Sequence, residues 1–129
     1  MKFISLFETI TRSKVKDCFE DSNSLLNFIV CRGEIGKAIG KAGSNAKKIE
    51  AMLKRKIKIV EHNEDLIRFT GNLIYPLKAT EISLDDETLT ITGPDTQTKA
   101  QLIGRNSQNL KNFEQTIRRY FPIKALKVQ

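Results

Sequence analysis

The sequence predicts an α+β protein built from two tandem units, each ordered helix, strand, strand, helix, turn, helix, strand, with a three-stranded sheet packed by helices. Three observations predict it. Hydrophobic spacing switches between helical and extended periods in the same order in both halves. Residues recur with a shift of 64, pairing Ile39 with Ile103, Gly40 with Gly104, Lys41 with Arg105, Asn45 with Asn109, Lys47 with Lys111 and Glu50 with Glu114. Each copy also turns at a glycine between two amphipathic helices. A chain of 129 residues, 40% hydrophobic and 29% charged, is long enough for one ordinary domain or two very small ones. The expected boundaries are 1–62 and 63–129.

In the first copy, Phe3, Phe7 and Ile10 lie at i, i+4 and i+7 beside Leu6, giving an amphipathic helix that ends near Arg12. Alternation of Val15, Asp17 and Phe19 against Lys14, Lys16 and Cys18 marks a strand. Asp21-Ser22-Asn23-Ser24 is a turn, and Leu25–Cys31 reads as a second, more buried strand that completes a hairpin. A short helix from about Glu34 to Ile39 enters the glycine turn. The next helix, Ser44 to Arg55, is expected to bury Ala46, Ile49, Met52 and Leu53 and to expose Lys47, Lys48, Lys54 and Arg55. Ile57, Ile59 and Val60 close the unit as a strand.

The second copy starts with Asn63 as the expected cap of a helix carrying Leu66, Ile67, Phe69 and Leu73, which Pro76 stops. Strands Ala79–Leu84 and Thr88–Thr92 flank the turn Asp85-Asp86-Glu87. Gly93-Pro94-Asp95 breaks the chain before a short helix with Ala100, Leu102 and Ile103. A longer helix holds Leu110, Phe113, Ile117 and Phe121 inside, stops at Pro122, and leads to the last strand, Ile123–Val128. Leu25 and Leu89 correspond under the same shift of 64. The linker Glu61 to Glu64 lacks Gly/Ser-rich flexibility, so a fixed body of two units is expected.

Charge gives the first functional signal. The net charge is +7 and the pI near 9.5. Residues 1–62 carry 13 Lys or Arg against 7 Asp or Glu, whereas residues 63–129 carry 9 against 8. Between 37 and 58, Lys37, Lys41, Lys47, Lys48, Lys54, Arg55, Lys56 and Lys58 face Glu50 alone. That local excess points to an anionic partner, a nucleic acid foremost, with general membrane or tRNA affinity as the alternative.

The basic segment surrounds Ile39-Gly40-Lys41-Ala42-Gly43-Ser44-Asn45. Two glycines two residues apart remove the side chains that would hold a sugar-phosphate chain away from the main chain, and they open φ angles closed to other residues. Ser44 or Asn45 is expected to cap the next helix, whose tip presents N–H groups and the positive dipole end to a phosphate. Gly36, Lys37, Lys47 and Lys48 complete the first candidate site. In the second copy the candidates are Gly104, Arg105, Asn106, Ser107, Gln108, Asn109 and Lys111. There Ser107 replaces the second glycine and Asn106 replaces Ala42, which weakens or alters that site. Ile39 and Ile49, and Ile103 and Phe113, are candidates for an apolar floor under bases, and helical spacing equally accounts for them as core. A tight helix-to-helix turn with a solvated charged face is the plainer alternative, and Gly33-Glu34-Ile35-Gly36 satisfies the same glycine spacing.

Other chemistries find little support. Gly36 to Ala42 is superficially similar to a P-loop, but the glycines are one residue too close and no Ser or Thr follows Lys41 to hold magnesium. His62 is the only histidine, and no Ser/His/Asp or Cys/His set can be assembled, so the protein is read as a non-enzyme without cofactor. Cys18 and Cys31 have no CxxC partner and are expected as buried thiols in strands rather than metal ligands or a disulfide. Asp85-Asp86-Glu87 is explained by an exposed hairpin turn. No apolar run is long enough to cross a bilayer and no signal peptide is evident, which places the chain in the cytoplasm.

The Ile-Gly-x-x-Gly pattern with an internal lysine and helices on both sides resembles the KH domain, the module whose GxxG loop holds about four nucleotides of single-stranded nucleic acid. With two strands ahead of the turn and one after it, the order resembles the prokaryotic, type II form, here in tandem. More narrowly, Ile4 to Thr11, Val15 to Cys18, Gly33 to Asn45 and Ile103 to Asn106 resemble the archaeal NusA family of transcription factors. That resemblance implies a single-stranded RNA-binding factor acting in transcription elongation, pausing, termination or antitermination, and a monomer is expected. RNA polymerase or the transcription complex is a further candidate partner. Larger bacterial relatives add domains for polymerase and further RNA contact, for which 129 residues leave no room beside two KH units. KH units of this type also occur in ribosome-associated proteins, the alternative setting.

Overall fold

The computed structural model describes residues 2–129. The chain divides into two compact units, Met1–Asn63 and Glu64–Gln129. The first contains α1 (Lys2–Thr11), β1 (Val15–Glu20), β2 (Leu26–Val30), α2 (Ile35–Ile39), a tight turn Lys41–Gly43, α3 (Ser44–Leu53) and β3 (Ile57–Glu61). Its sheet has the order β1-β2-β3. β1 and β2 form the antiparallel hairpin, and β3 returns parallel to β2 with Leu26 opposite Ile57 and Phe28 opposite Ile59. A parallel return needs a crossover, which α2 and α3 supply.

Period-2 alternation sends Leu26, Phe28 and Val30 to the helix-covered face. There they meet Phe7 from α1, Cys18 from β1, Ala38 from α2 and Ile49 from α3. The Phe7 and Phe28 rings stack with centroids 4.2 Å apart. Offset stacking of this kind adds about 1 kcal/mol to the burial of the two rings. Cys18 is buried, and loss of solvation, aided by the Asp17 charge, pushes its thiol pKa up to about 11. Cys31 lies just past β2 and is only half-buried.

The second unit contains α4 (Leu66–Ile74), β4 (Glu81–Asp85), β5 (Thr88–Thr92), α5 (Thr96–Ile103), a tight turn Arg105–Ser107, α6 (Gln108–Arg118) and β6 (Ala125–Val128). Its sheet runs β4-β5-β6, again with an antiparallel hairpin and a parallel return. Phe69, Leu73, Leu89, Ile91, Leu102 and Ile117 are buried.

Several expectations are corrected. Met52 is 52% exposed, because it lies on the flank of α3 rather than under it. The cap of α4 is Asp65, whose carboxylate accepts the Ile67 N–H at 3.0 Å, and not Asn63. Helix α6 ends at Arg118, before Phe121, which packs from the following turn against Phe69 at 5.6 Å between centroids. The pairing of Leu25 with Leu89 also fails. His62 N–H donates to the Val30 carbonyl as Gln129 N–H donates to that of Ile91, so strands ahead of the turn are related by 61 residues and those after it by 67. The offset of 64 already holds in the helix before the turn, where Gly36 and Lys37 correspond to Ala100 and Gln101, and continues through the turn into the helix that follows. Helix α5 has eight residues against five in α2, which accounts for the first change.

Candidate nucleic-acid interface

The backbone of the first turn follows from its glycines. α2 ends with the Gly40 N–H donating to the Gly36 carbonyl. Gly40 then takes φ 75° and ψ 172°, a region nearly reserved for glycine. Ala42 (φ 54°, ψ 30°) and Gly43 (φ 75°, ψ 16°) are both left-handed, and Gly43 is itself the residue preceding α3. Lys41 and Ala42 are exposed, and Gly40 and Gly43 partly so.

The second turn repeats this path: Gly104 has φ 74° and ψ 175°, Asn106 φ 54° and ψ 32°, and Ser107 φ 61° and ψ 22°. Loss of the second glycine has not changed the main-chain geometry. A Cβ placed on Gly43 would meet only the Lys47 Cε, at 4.0 Å, so the fold has room for the Ser107 side chain at the equivalent point. Its cost is conformational, about 1 kcal/mol for a left-handed residue other than glycine.

Neither Ser44 nor Asn45 caps α3, contrary to expectation. Ser44 is already helical, and the Asn45 amide is directed back into the turn, donating to the Lys37 carbonyl at 2.8 Å. Asn109 does the same to the Gln101 carbonyl at 2.8 Å. The first turn of α3 therefore has no side-chain acceptor, and its tip carries the positive end of the helix dipole.

The cationic residues separate into two groups. Lys37 is exposed but lies 3.5 Å from Glu34, whose other oxygen accepts the Lys14 N–H and which is held below the usual carboxylate range chiefly by that bond. Arg55 folds back onto Glu20 at 3.3 Å and the Ser24 carbonyl at 2.9 Å. Lys58 is partly buried, and burial pushes its ammonium pKa down against the opposing pull of Asp21. Lys41, Lys47, Lys48, Lys54 and Lys56 are exposed. Glu34 and Glu20 are the residues that sequence reasoning missed, because their partners are distant in sequence or were counted only as charge.

Of the apolar candidates, Ile49 is wholly buried and belongs to the core, which removes it from any base-contacting floor. Ile39 is 39% exposed beside Gly40, while Ile103 and Phe113 are half-buried. Gly36, Ser44, Arg105, Asn106 and Lys111 are exposed, and Gln108 is partly covered. Among the described residues, no group of three or more His, Cys, Asp or Glu could hold a metal ion.

Each unit thus carries a left-handed bend between two helices, and in the first unit exposed lysines border it. Residues 4–91 match the family model described as the KH domain, and the chain belongs to the KH domain family. The match spans the first glycine turn and stops before the second. The chain is similar to archaeal proteins named probable transcription termination protein NusA. It is 38% identical to that of Methanococcus vannielii over 79 residues, which is 61% of this chain and 45% of that protein, less than half its length. Identity to the Methanocaldococcus jannaschii protein is 29% over 133 residues, covering 97% of this chain and 69% of that one. For Halobacterium salinarum it is 27% over 124 residues, covering 95% and 88%. The crystal structure of APE1850 superposes with a TM-score of 0.78 at 27% identity, over 99% of this chain and 96% of that one.

Proposed function

We propose that the protein binds single-stranded RNA, holding the sugar-phosphate backbone at Gly40–Gly43 and more weakly at Gly104–Ser107, and acts in transcription elongation or termination. Each unit is read as a type II KH domain, and no catalytic step is assigned. One observation carries the reading: Lys41 and Ala42 are exposed and Gly43 partly so, in a bend set by Gly40 and Gly43, next to exposed Lys47 and Lys48. KH membership supports single-stranded nucleic acid as the ligand. The names of the relatives support the transcriptional setting.

The ranking of the two turns rests on charge rather than on the missing glycine, since both backbones take the same path. Lys41 and its neighbours lie in the half with the excess of basic residues, and Arg105 lies in the nearly neutral half. Lys41→Asp with Ala42→Asp is expected to reduce affinity for a fluorescent single-stranded RNA by at least about a hundredfold, through lost attraction and added repulsion. Arg105→Asp with Asn106→Asp is expected to cost clearly less. Fluorescence anisotropy decides it: equal losses would reject the ranking, and an unaffected first variant would reject the clamp. Affinity capture from cells, asking whether polymerase or ribosomal particles accompany the protein, tests the setting.

A further inference from the structure

The two turns share a feature that lies beneath the exposed residues. In each, the chain leaves the preceding helix at a glycine whose ψ near 175° carries the next N–H away from the helix axis. The Gly40 and Gly104 N–H groups still donate to the Gly36 and Ala100 carbonyls, but the following carbonyls, of Lys37 and Gln101, lose their helical donors. Asn45 and Asn109 replace them, each through its side-chain amide at 2.8 Å and each eight residues along the chain.

The amide also lies against the glycine. A Cβ on Gly40 would stand 2.9 Å from Asn45 Cγ and Nδ2 and from the rotatable Ser44 Oγ, and one on Gly104 would stand 2.7 Å from Asn109 Cγ and Nδ2. Such distances are inside van der Waals contact, so the absent side chain and the asparagine are a matched pair. The first glycine is thus required for its dihedral angles and for the space that the amide occupies.

We propose that Asn45 and Asn109 are positioning residues for RNA binding: they fix the glycine bend so that residues 41–43 and 105–107 present their main chain outward, and they do not themselves ligate phosphate. This rests on the RNA-binding reading. An amide already committed to a helix-end carbonyl shapes the turn before any ligand arrives. Holding it in shape removes an ordering cost from binding.

The test uses the full chain. Asn45→Ala is expected to raise amide hydrogen exchange at Lys41, Ala42 and Gly43 in the RNA-free protein, and to weaken binding of a fluorescent single-stranded RNA roughly five- to tenfold. Asn109→Ala should raise exchange at Arg105, Asn106 and Ser107. In denaturant titrations, Gly40→Ala should cost less in the Asn45→Ala background than alone, because the clash with the amide is gone. A phosphate ligand would instead leave free-protein exchange unchanged while affinity fell, and that result would overturn the positioning role. Should Asn45→Ala fail to fold, Asn109→Ala makes the same measurement at the second turn, where unchanged exchange overturns the proposal equally. A wild-type chain that ignores RNA rejects the function itself, whereas wild-type binding with undiminished Asn45→Ala affinity rejects only the positioning role.

Discussion

At the scale of single residues, the two glycines of the first turn do different work. Gly40 combines a φ of 75° with an extended ψ and has the Asn45 amide and the Ser44 hydroxyl where a Cβ would crowd them, while Gly43 is left-handed with open space around it. Gly40→Ala is therefore expected to destabilise by roughly 2–4 kcal/mol from dihedral strain and overlap together. Gly43→Ala should cost about 1 kcal/mol, and Ser107→Gly should cost nothing or stabilise slightly. Urea denaturation of the three variants checks the order, and a Gly40→Ala penalty no larger than that of Gly43→Ala would contradict it. The spacing of the glycines was legible in the sequence. Their unlike roles were not, because the neighbour that makes Gly40 indispensable sits five residues away and acts through the backbone of a preceding helix.

At the scale of elements, helix α5 is capped by Asp95, whose carboxylate accepts the Thr98 N–H at 2.7 Å and whose pKa lies below the usual value of 3.8, chiefly through that bond. A carboxylate with a depressed folded-state pKa adds stability above its unfolded pKa and loses it as pH falls through the folded value. Asp95→Ala should thus lower the urea midpoint at pH 7, and lower it by progressively less as the pH falls below the usual value of 3.8. A pH-independent penalty would mean that the carboxylate charge plays no part in the cap. Phe28→Ala, in the stacked core of the first unit, should cost about 3–5 kcal/mol, whereas Met52→Lys should change stability by less than about 0.5 kcal/mol. The strands were readable because a period of two is distinct, and Pro76 and Gly93-Pro94 marked breaks. Met52 and Phe121 misled because helical spacing counts apolar residues without saying which flank is covered, or whether the last turn has already unwound.

At the scale of the whole molecule, the sequence repeat is not a rigid copy. Its offset grows from 61 to 64 to 67 residues along the chain, so that a single shift finds the turns and mispairs the strands. Charge is divided as unevenly as the sequence count implied, but Lys37 and Arg55 are paired with Glu34 and Glu20. Five exposed lysines remain around the first turn and along α3: Lys41, Lys47, Lys48, Lys54 and Lys56. With about four phosphates engaged, the slope of log K against log salt for single-stranded RNA should be about −3. A slope near zero would show that these lysines do not meet the backbone. Among the described residues, no helix is long and apolar enough to cross a membrane.

The sealed thiol in the first core has a practical consequence. Cys18 stays protonated at neutral pH and is buried among Phe7, Phe28 and aliphatic side chains, while Cys31, just past β2, is only half-buried. A maleimide dye should therefore attach once per molecule, at position 31, without any engineered substitution. Peptide mapping of the labelled chain would show it, and the unmodified protein would then carry its own reporter for watching a ligand arrive.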